Sequence, residues 1–220
     1  MVANLDDNIG KLLRGMQEMG LEENTILVFT SDHGELFGAH GRRAKNIFYE
    51  EAVRIPFLIR WPGVLEEGSK RNFVLNTVDI MPSILSLMEL PIPEEVEGSD
   101  RSLCIMGKED TEDGALMMGT GPTAVWGDGY EWRAYRTKRY TYAIYKKDGM
   151  EFLFDNQEDP YQMHNLIGEN GYEEIVNRLK EEMYEKMKSI GDNFERNSYY
   201  EKFWVENRII KKKAEWEEKV

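Results

Sequence analysis

Apolar residues in the first part of the chain alternate between helical and extended patterns. They recur at helical spacing from Val2 to Met19, and Gly20 is placed to end that helix. A short apolar run over residues 26–30 then predicts a buried strand, and "IPFLIRW", closed by a Pro-Gly pair, predicts a second one. Helix, strand, loop and strand in this order indicate an α/β architecture with parallel or mixed strand pairing.

A further helix is predicted where "NTVD" precedes an apolar run that extends towards Pro91. Beyond this proline the chain becomes acidic and rich in turn residues, in "PIPEEVEGSDRSL" and "GKEDTEDG". Such connectors favour a boundary between two domains, and we place the first at residues 1–110 and the second at residues 111–220.

The second domain has the pattern of an antiparallel sheet followed by helices. Its short strand-like runs, "ALMMGTG", "EWRAYRTK", "RYTYAIYKK" and "MEFLFD", follow one another at hairpin spacing. Helical periodicity returns from Tyr172 to Ile190, and the tail "YYEKFWVENRIIKKKAEWEEKV" is predicted to be helical too.

Composition limits the classes of partner. The 220 residues carry a formal net charge of -13, which argues against broad contact with nucleic acid or an anionic membrane. One cysteine, Cys104, excludes an internal disulfide. The chain has no signal-peptide pattern and no apolar run long enough to span a membrane, so its compartment stays open. Because Met1 leads straight into a helical pattern, we expect the sequence to begin inside a longer protein.

The first predicted strand ends in "SDHGE", where an acid and an imidazole stand side by side. In open α/β sheets, ligands bind beyond the carboxyl ends of the strands. Asp32 supplies a hard oxygen and His33 a borderline nitrogen, so together they could hold a divalent cation. Two residues alone favour a plainer interpretation, in which Asp32 caps a turn and His33 is a partly buried polar residue.

Several blocks, in register, resemble the sulfatase family of the alkaline phosphatase superfamily. They are "LDDNIGKLLRGMQEMGLEENT", "TSDHGELFGAHGRRAK", "EEAVRIPFLIRWPG", "TVDIMPSILSLMELPIP" and "EFLFDNQEDPYQMHNL". The resemblance covers residues 1 to about 190 and is to the C-terminal portion of the family. It implies part of an alkaline phosphatase-like mixed sheet with helices, followed by a small antiparallel sheet plus helix subdomain.

The resemblance assigns roles to three residues, and a fourth is a candidate. It implies that Asp32 and His33 are metal-site residues, with calcium the expected cation and manganese the alternative, and that Lys45 contacts the sulfate of the substrate. Sulfate-ester cleavage needs neutralised oxygens and a stabilised leaving group, which a cation and an ammonium group provide. His40 is placed either to orient a ligand or to act near the leaving group. A loop histidine that packs against the turn is the open alternative.

The same resemblance also indicates which family features are missing from this 220-residue sequence. Family members use a formylglycine made from the Cys or Ser of a Cys/Ser-x-Pro-Ser-Arg motif, together with two acidic metal ligands near the N-terminus. Cys104 stands in "SLCIMG" and does not fit this motif. We therefore expect a nucleophile upstream, half an active site here, and no activity in this chain alone.

The expected partners follow from the interpretation of this sequence as the C-terminal portion of a sulfatase. They are a sulfated small molecule or glycan and the missing N-terminal half of the same protein. The sequence leaves a homo-oligomer open. Two other function classes remain at this stage: a phosphodiesterase or phosphonate-ester hydrolase of the same superfamily, and a non-catalytic module on the same scaffold.

Other polar and aromatic residues have structural interpretations. Asp79 is expected at a helix N-terminus, His164 in a turn, and Arg54 in a bond to a carboxylate or carbonyl group. The aromatic residues of the first predicted hairpin alternate as sheet residues do, and the two tryptophans among them are candidates for the border of a substrate cleft; the set is Trp126, Tyr130, Trp132 and Tyr135.

Overall fold

A computed structural model of the chain describes residues 1–120, 127–207 and 209–210. Its helices are α1 Val2–Glu18, α2 Glu50–Val53, α3 Thr77–Leu87, α4 Ser102–Ile105, α5 Glu173–Ser189 and α6 Asn197–Trp204. Its strands are β1 Leu27–Thr30, β2 Phe57–Arg60, β3 Ala115–Gly119, β4 Trp132–Arg136, β5 Tyr140–Tyr145, β6 Glu151–Asp155, β7 Val205–Glu206 and β8 Ile209–Ile210. The expected mixture of α and β elements is confirmed. Within these ranges, no helix combines the length and apolar character that a membrane span requires.

The first two strands form a ribbon with antiparallel pairing. Thr30 lies opposite Phe57, and Leu27 lies opposite Arg60. An antiparallel pair is compatible with the expected mixed sheet and excludes only the parallel alternative for these two strands, since parallel neighbours need a crossover, usually a helix. The connection between β1 and β2 instead contains a long loop and the single-turn helix α2, and it brings the chain back beside β1.

The predicted antiparallel layer in the second half is confirmed. Four strands pair in the order β3-β4-β5-β6, and α5 packs on one face. That core combines alternate residues of the strands with one apolar stripe of the helix. Its buried members are Leu116, Tyr135, Tyr142, Ile144, Leu153, Leu179, Met183, Met187 and Phe194.

The opposite face of this sheet packs against residues from the first half. Leu36, Ile47, Phe48 and Ala52 form one cluster with strand residues of the sheet. The Phe48 side chain is 0% exposed, and its ring meets Trp132 edge-on at a centroid distance of 5.4 Å. The loop before α2 is thus fixed to the sheet by a shared core, which lies across the predicted boundary between residues 110 and 111.

The hairpin aromatics behave as sheet residues. Trp132 faces the Phe48 cluster and Tyr135 the α5 cluster, as alternation predicts, while Tyr130 is exposed. At 5% exposure, Trp132 is a core residue, so its expected place at the border of a cleft is wrong. Trp126 lies outside the described residues.

The C-terminal tail is only partly helical. Helix α6 ends at Trp204, and β7 and β8 then pair antiparallel. The prediction of a continuous helix is wrong here because Asn207 adopts a left-handed conformation, φ 53°, which an α-helix does not accommodate. Residues 211–220 of the predicted helix lie outside the described ranges.

Other interpretations can be compared with the fold. Asp79 completes a capping box at the start of α3, where its carboxylate accepts a hydrogen bond from the Asn76 N–H at 3.1 Å, as expected for a helix N-terminal acid. His164 lies in a turn, with its N–H bonded to Asp159. Arg54 is exposed, and in the described part of the chain no carboxylate or carbonyl accepts a hydrogen bond from its side chain.

Replacing Phe48 by alanine should destabilise the protein by about 3–5 kcal/mol, because it removes a fully buried ring and leaves a cavity. Denaturant unfolding followed by circular dichroism measures the change. The matched control is Phe37→Ala, since Phe37 is 89% exposed and should change stability by less than about 0.5 kcal/mol. Equal losses in both variants would contradict the shared core.

Candidate active site

The candidate site begins where β1 ends, at Asp32, His33 and Gly34. The N–H of Gly34 donates a hydrogen bond of 2.9 Å to the Ala52 carbonyl, which ties the strand end to α2. A Cβ atom at position 34 would lie 1.9 Å from the Glu51 carbonyl oxygen. Only glycine permits so close an approach of two backbones. The third residue of the Asp-His-Gly motif therefore fixes where the first two stand.

The hydrogen bonds of His33 determine which of its ring nitrogens carries the proton. Its Nδ1 lies 2.7 Å from the carbonyl oxygen of Gly34, which can only accept a hydrogen bond. Nδ1 is therefore the protonated nitrogen, and in the neutral ring Nε2 bears a lone pair. This is the arrangement usual for histidines that bind metals, where a backbone carbonyl fixes the tautomer.

Three side chains meet at this lone pair. The Nε2 atom of His33 lies 3.1 Å from Oδ2 of Asp32 and 2.7 Å from Nζ of Lys45. Asp32 is open to solvent, with 83% of its side chain exposed. Asp32, His33 and Lys45 therefore lie together in the structure, whereas their roles in catalysis and metal binding remain predictions.

The loop that carries Lys45 is closed by hydrogen bonds across its base. One carboxylate oxygen of Glu35 accepts the N–H of Ala44 at 2.6 Å, and Leu36 donates to the Ala44 carbonyl at 3.0 Å. Phe37, His40 and Ala44 all have positive φ values, between 46° and 70°. Such backbone conformations cost energy in residues other than glycine, so the bonds at the base and the burial of Leu36 must offset that cost.

His40 packs against the turn. Its ring stacks on Tyr49 with a centroid distance of 3.7 Å and an interplanar angle of 4°, and its Nε2 lies 3.4 Å from Oε2 of Glu51. Only 9% of the side chain is exposed. This geometry agrees with the alternative of a loop histidine that packs against the turn. None of the contacts described for His40 reaches Asp32, His33 or Lys45. A catalytic role for His40 remains a prediction, and no described contact of its side chain supports that role.

The donors present fit part of a metal site. Asp32 offers a carboxylate oxygen and His33 a nitrogen lone pair, which suit a divalent cation. In the described residues, no group of three or more His, Cys, Asp or Glu side chains is arranged to hold a metal ion. Two protein donors leave most of the coordination sphere of such an ion to be filled from elsewhere.

Cys104 lies outside this site. It is buried in α4, and burial raises the pKa of its thiol, with Glu109 raising it further. A thiol with a raised pKa is a poor nucleophile. The structure thus agrees with the sequence in giving Cys104 no place as the nucleophile.

Sequence reasoning missed three residues that shape the site, namely Gly34, Tyr49 and Glu51. Their roles arise from a close backbone approach, a ring stack and a contact with His40. Only the glycine leaves a signal in the sequence, because a glycine directly after two polar side chains at a strand end can indicate a tightly packed backbone.

The fold is of the alkaline phosphatase-like kind, and the comparisons place the chain in the sulfatase family. Residues 38–189 match the family model described as "N-sulphoglucosamine sulphohydrolase, C-terminal", and the chain belongs to this family.

Individual relatives agree with the family match. An ulvan-active sulfatase of Formosa agariphila is 42% identical over 199 residues, which cover 89% of this chain and 39% of that protein. The structure of a putative sulfatase, yidJ, from Bacteroides fragilis shares 29% identity with a TM-score of 0.78, over 90% of this chain and 42% of that one. The structure of BT4656 in complex with its substrate D-glucosamine-2-N,6-O-disulfate shares 27% identity with a TM-score of 0.79, over 87% and 40%. The chain thus spans about two fifths of the length of these relatives.

Nuclear magnetic resonance can test the tautomer of His33. Long-range ¹H–¹⁵N spectra at a pH where the ring is neutral should show a protonated Nδ1 and an unprotonated Nε2, since Nδ1 donates to Gly34. His164, which is exposed and whose ring has no hydrogen bond among the described contacts, is the internal reference for an unconstrained ring. A protonated Nε2 on His33 would remove the lone pair on which the metal assignment depends.

Proposed function

We propose that this chain is part of a metal-dependent enzyme that hydrolyses sulfate esters. In this proposal Asp32 and His33 bind a divalent cation, and Lys45 contacts the sulfate group. The observation that supports the proposal is the unprotonated Nε2 of His33, which lies between the Asp32 carboxylate and the Lys45 ammonium group.

Each of these side chains has a definite task in the reaction. The ammonium group of Lys45 donates hydrogen bonds to the sulfate oxygens and balances the charge that the transition state concentrates on them. His33 holds its proton on Nδ1, turned towards the backbone, so it offers Nε2 only as an electron-pair donor. A divalent cation bound there would neutralise oxygen charge and stabilise the leaving group.

The cation is proposed to be calcium, with manganese as the alternative. Calcium is the cation that the family resemblance implies, and the Asp32 oxygen suits it well. Calcium prefers six to eight oxygen ligands, however, and accepts a nitrogen such as Nε2 of His33 reluctantly, whereas imidazole suits transition metals better. The donor set found here is compatible with either ion once further carboxylates are added.

The remaining ligands and a formylglycine nucleophile are proposed to come from sequence outside these 220 residues. The uncovered surface of the first half supports this. Leu58 in the β1-β2 ribbon is 64% exposed, and of the apolar stripe of α1 only Met16 is buried. A two-stranded ribbon is marginal on its own, so such strands ordinarily belong to a larger sheet. The fragment is therefore proposed to be inactive by itself.

The substrate class is proposed to be a sulfated saccharide. Two of the similar proteins described above are an ulvan-active sulfatase and a protein solved with a disulfated glucosamine as its substrate. Asp32 and Lys45 are exposed, which agrees with a site that must admit the sugar ring of a substrate and not only a small ion. Membrane and nucleic-acid partners form no part of the proposal, since a net charge of -13 disfavours both.

The isolated chain should bind calcium and manganese only weakly and should hydrolyse no sulfate ester. Two protein donors give a cation little advantage over full hydration, and the motif from which formylglycine is made does not occur in these 220 residues. Titration calorimetry and a fluorogenic aryl sulfate assay, run on this chain and on one extended upstream, provide the comparison. Micromolar metal affinity in the short chain, or turnover that survives Cys104→Ala, would show that a complete site lies within these residues.

In an extended, active protein, Lys45→Met should lower kcat for a sulfate ester by about 10²–10³-fold, because it removes one preorganised donor to the developing charge. Lys70→Met, which removes an exposed lysine elsewhere, is the matched control and should leave kcat unchanged. The same proteins should be assayed with a phosphonate monoester. A preference for that ester over the sulfate ester would favour the alternative hypothesis of a phosphonate-ester hydrolase. An unaltered kcat in Lys45→Met would contradict the proposed role of Lys45.

A further inference from the structure

Helix α2 contacts both parts of the candidate site. At the strand end, the N–H of Gly34 donates to the Ala52 carbonyl at 2.9 Å, and the Glu51 carbonyl lies so close that no side chain fits at position 34. The side chain of Glu51 reaches the other part, because its Oε2 lies 3.4 Å from Nε2 of His40, in the loop that carries Lys45. One residue thus contacts the strand end through its backbone and the loop through its carboxylate.

His40 is the residue by which α2 holds the middle of this loop. Within residues 37–46, every residue is exposed except Ala39 and His40, and only 9% of the His40 side chain is accessible. The left-handed backbone of His40, φ 54°, costs energy. Its ring stacks on Tyr49 at 3.7 Å and contacts Glu51, and these two interactions help to offset that cost.

The carboxylate of Glu51 needs a donor. Its Oε2 atom is buried, and within the described ranges no group donates a hydrogen bond to it. A buried carboxylate oxygen without a donor is costly, because it has lost its bonds to water. The ring nitrogen beside it is Nε2 of His40, where a lone pair would be repelled by the negative charge and an N–H would be attracted. This contact places the proton of a neutral His40 ring on Nε2.

The two histidines near the site therefore hold opposite tautomers. His33 donates from Nδ1 to the Gly34 carbonyl, and its Nε2 lies 2.7 Å from the ammonium group of Lys45. No contact described for His40 brings a cation to its Nε2, so the ring itself supplies the proton that faces Glu51. Opposite tautomers give the two rings distinct spectroscopic signatures.

We propose that Glu51 is a positioning residue for the reaction and acts through His40. Its carboxylate accepts the Nε2–H of His40 and holds the loop against α2, so that Nζ of Lys45 stands beside His33. The inference rests on the proposed function, in which Lys45 contacts the sulfate group. It gives a part in the reaction to a carboxylate that lies outside the proposed set of metal ligands.

Long-range ¹H–¹⁵N spectra of the 220-residue chain test the tautomer of His40 without any substitution. At a pH where the ring is neutral, His40 should show a protonated Nε2 and an unprotonated Nδ1, the opposite of His33. An unprotonated Nε2 on His40 would overturn the proposal, because Glu51 would then have no proton to accept.

Variants of the same chain show whether Glu51 places Lys45. The readout is the ¹⁵Nε2 signal of His33, since an unprotonated ring nitrogen that accepts a hydrogen bond has a lower chemical shift than one that does not. Lys45→Met defines the value without this contact. Glu51→Met keeps the side-chain length but removes the acceptor, and it should move the signal to that value. Glu51→Gln retains an oxygen acceptor and should keep the wild-type value.

The matched control is Glu23→Ala, which removes an exposed carboxylate elsewhere and should leave the His33 signal unchanged. Denaturant unfolding of each variant separates positioning from stability. A loss of stability in Glu51→Met with an unchanged His33 signal would overturn the proposal, because Glu51 would then serve the fold alone. Equal shifts in Glu51→Gln and Glu51→Met would contradict the role of the accepting oxygen.

Kinetics in an extended, active protein separate this inference from the proposed function. Glu51→Met should lower kcat for an aryl sulfate by about 10–10²-fold, because a misplacement of about 1 Å at a reacting centre can cost about 10²-fold. In a Lys45→Met background the same substitution should cause no further loss, since Glu51 acts through Lys45. Additive losses would contradict this route. An extended protein without sulfatase activity would refute the proposed function, while the His40 tautomer and the His33 signal would still test the positioning role.

Discussion

The burial of Phe48 against the four-stranded sheet is the interaction on which the candidate site depends. Lys45 is itself exposed and stands three positions before Phe48, whose fully buried ring packs with strand residues more than 80 positions later. Leu36, near the other end of the loop, packs into the same cluster. Both ends of the loop are therefore anchored on one core, and this anchoring sets where the ammonium group of Lys45 lies relative to His33.

The loop between these anchors stores strain that the anchors must offset. Phe37, His40 and Ala44 have left-handed backbone conformations, each of which costs about 1–2 kcal/mol for a residue other than glycine. Burial of side chains such as Leu36 and Phe48 contributes about 1.5–3 kcal/mol each, and Glu35 adds hydrogen bonds at the base. The two contributions are of similar size, so the loop conformation is a consequence of the fold and would not persist in an isolated peptide.

The sequence predicted those features that depend on local periodicity. The hairpin sheet, helix α5 and the capping role of Asp79 follow from spacing within a few residues. The antiparallel pairing of β1 and β2 could not be predicted in this way, because it depends on the path of a long loop. The stacking of His40 on Tyr49 and the core position of Trp132 are likewise contacts between segments distant in sequence, which a local pattern does not encode. The convergence of Asp32, His33 and Lys45 was predictable only because the resemblance placed all three in one motif.

The two parts of the candidate site are held by interactions of different range. The tautomer of His33 is fixed by a hydrogen bond to the adjacent residue, Gly34, and Gly34 in turn holds the Asp32–His33 pair against α2 through its bond to Ala52. Lys45 instead depends on the core shared with the distant sheet. A local opening of the loop would therefore remove the ammonium group while leaving the paired donors in place. Because the proposed reaction uses both, the position of Lys45 that the proposal requires depends on the stability of the C-terminal sheet.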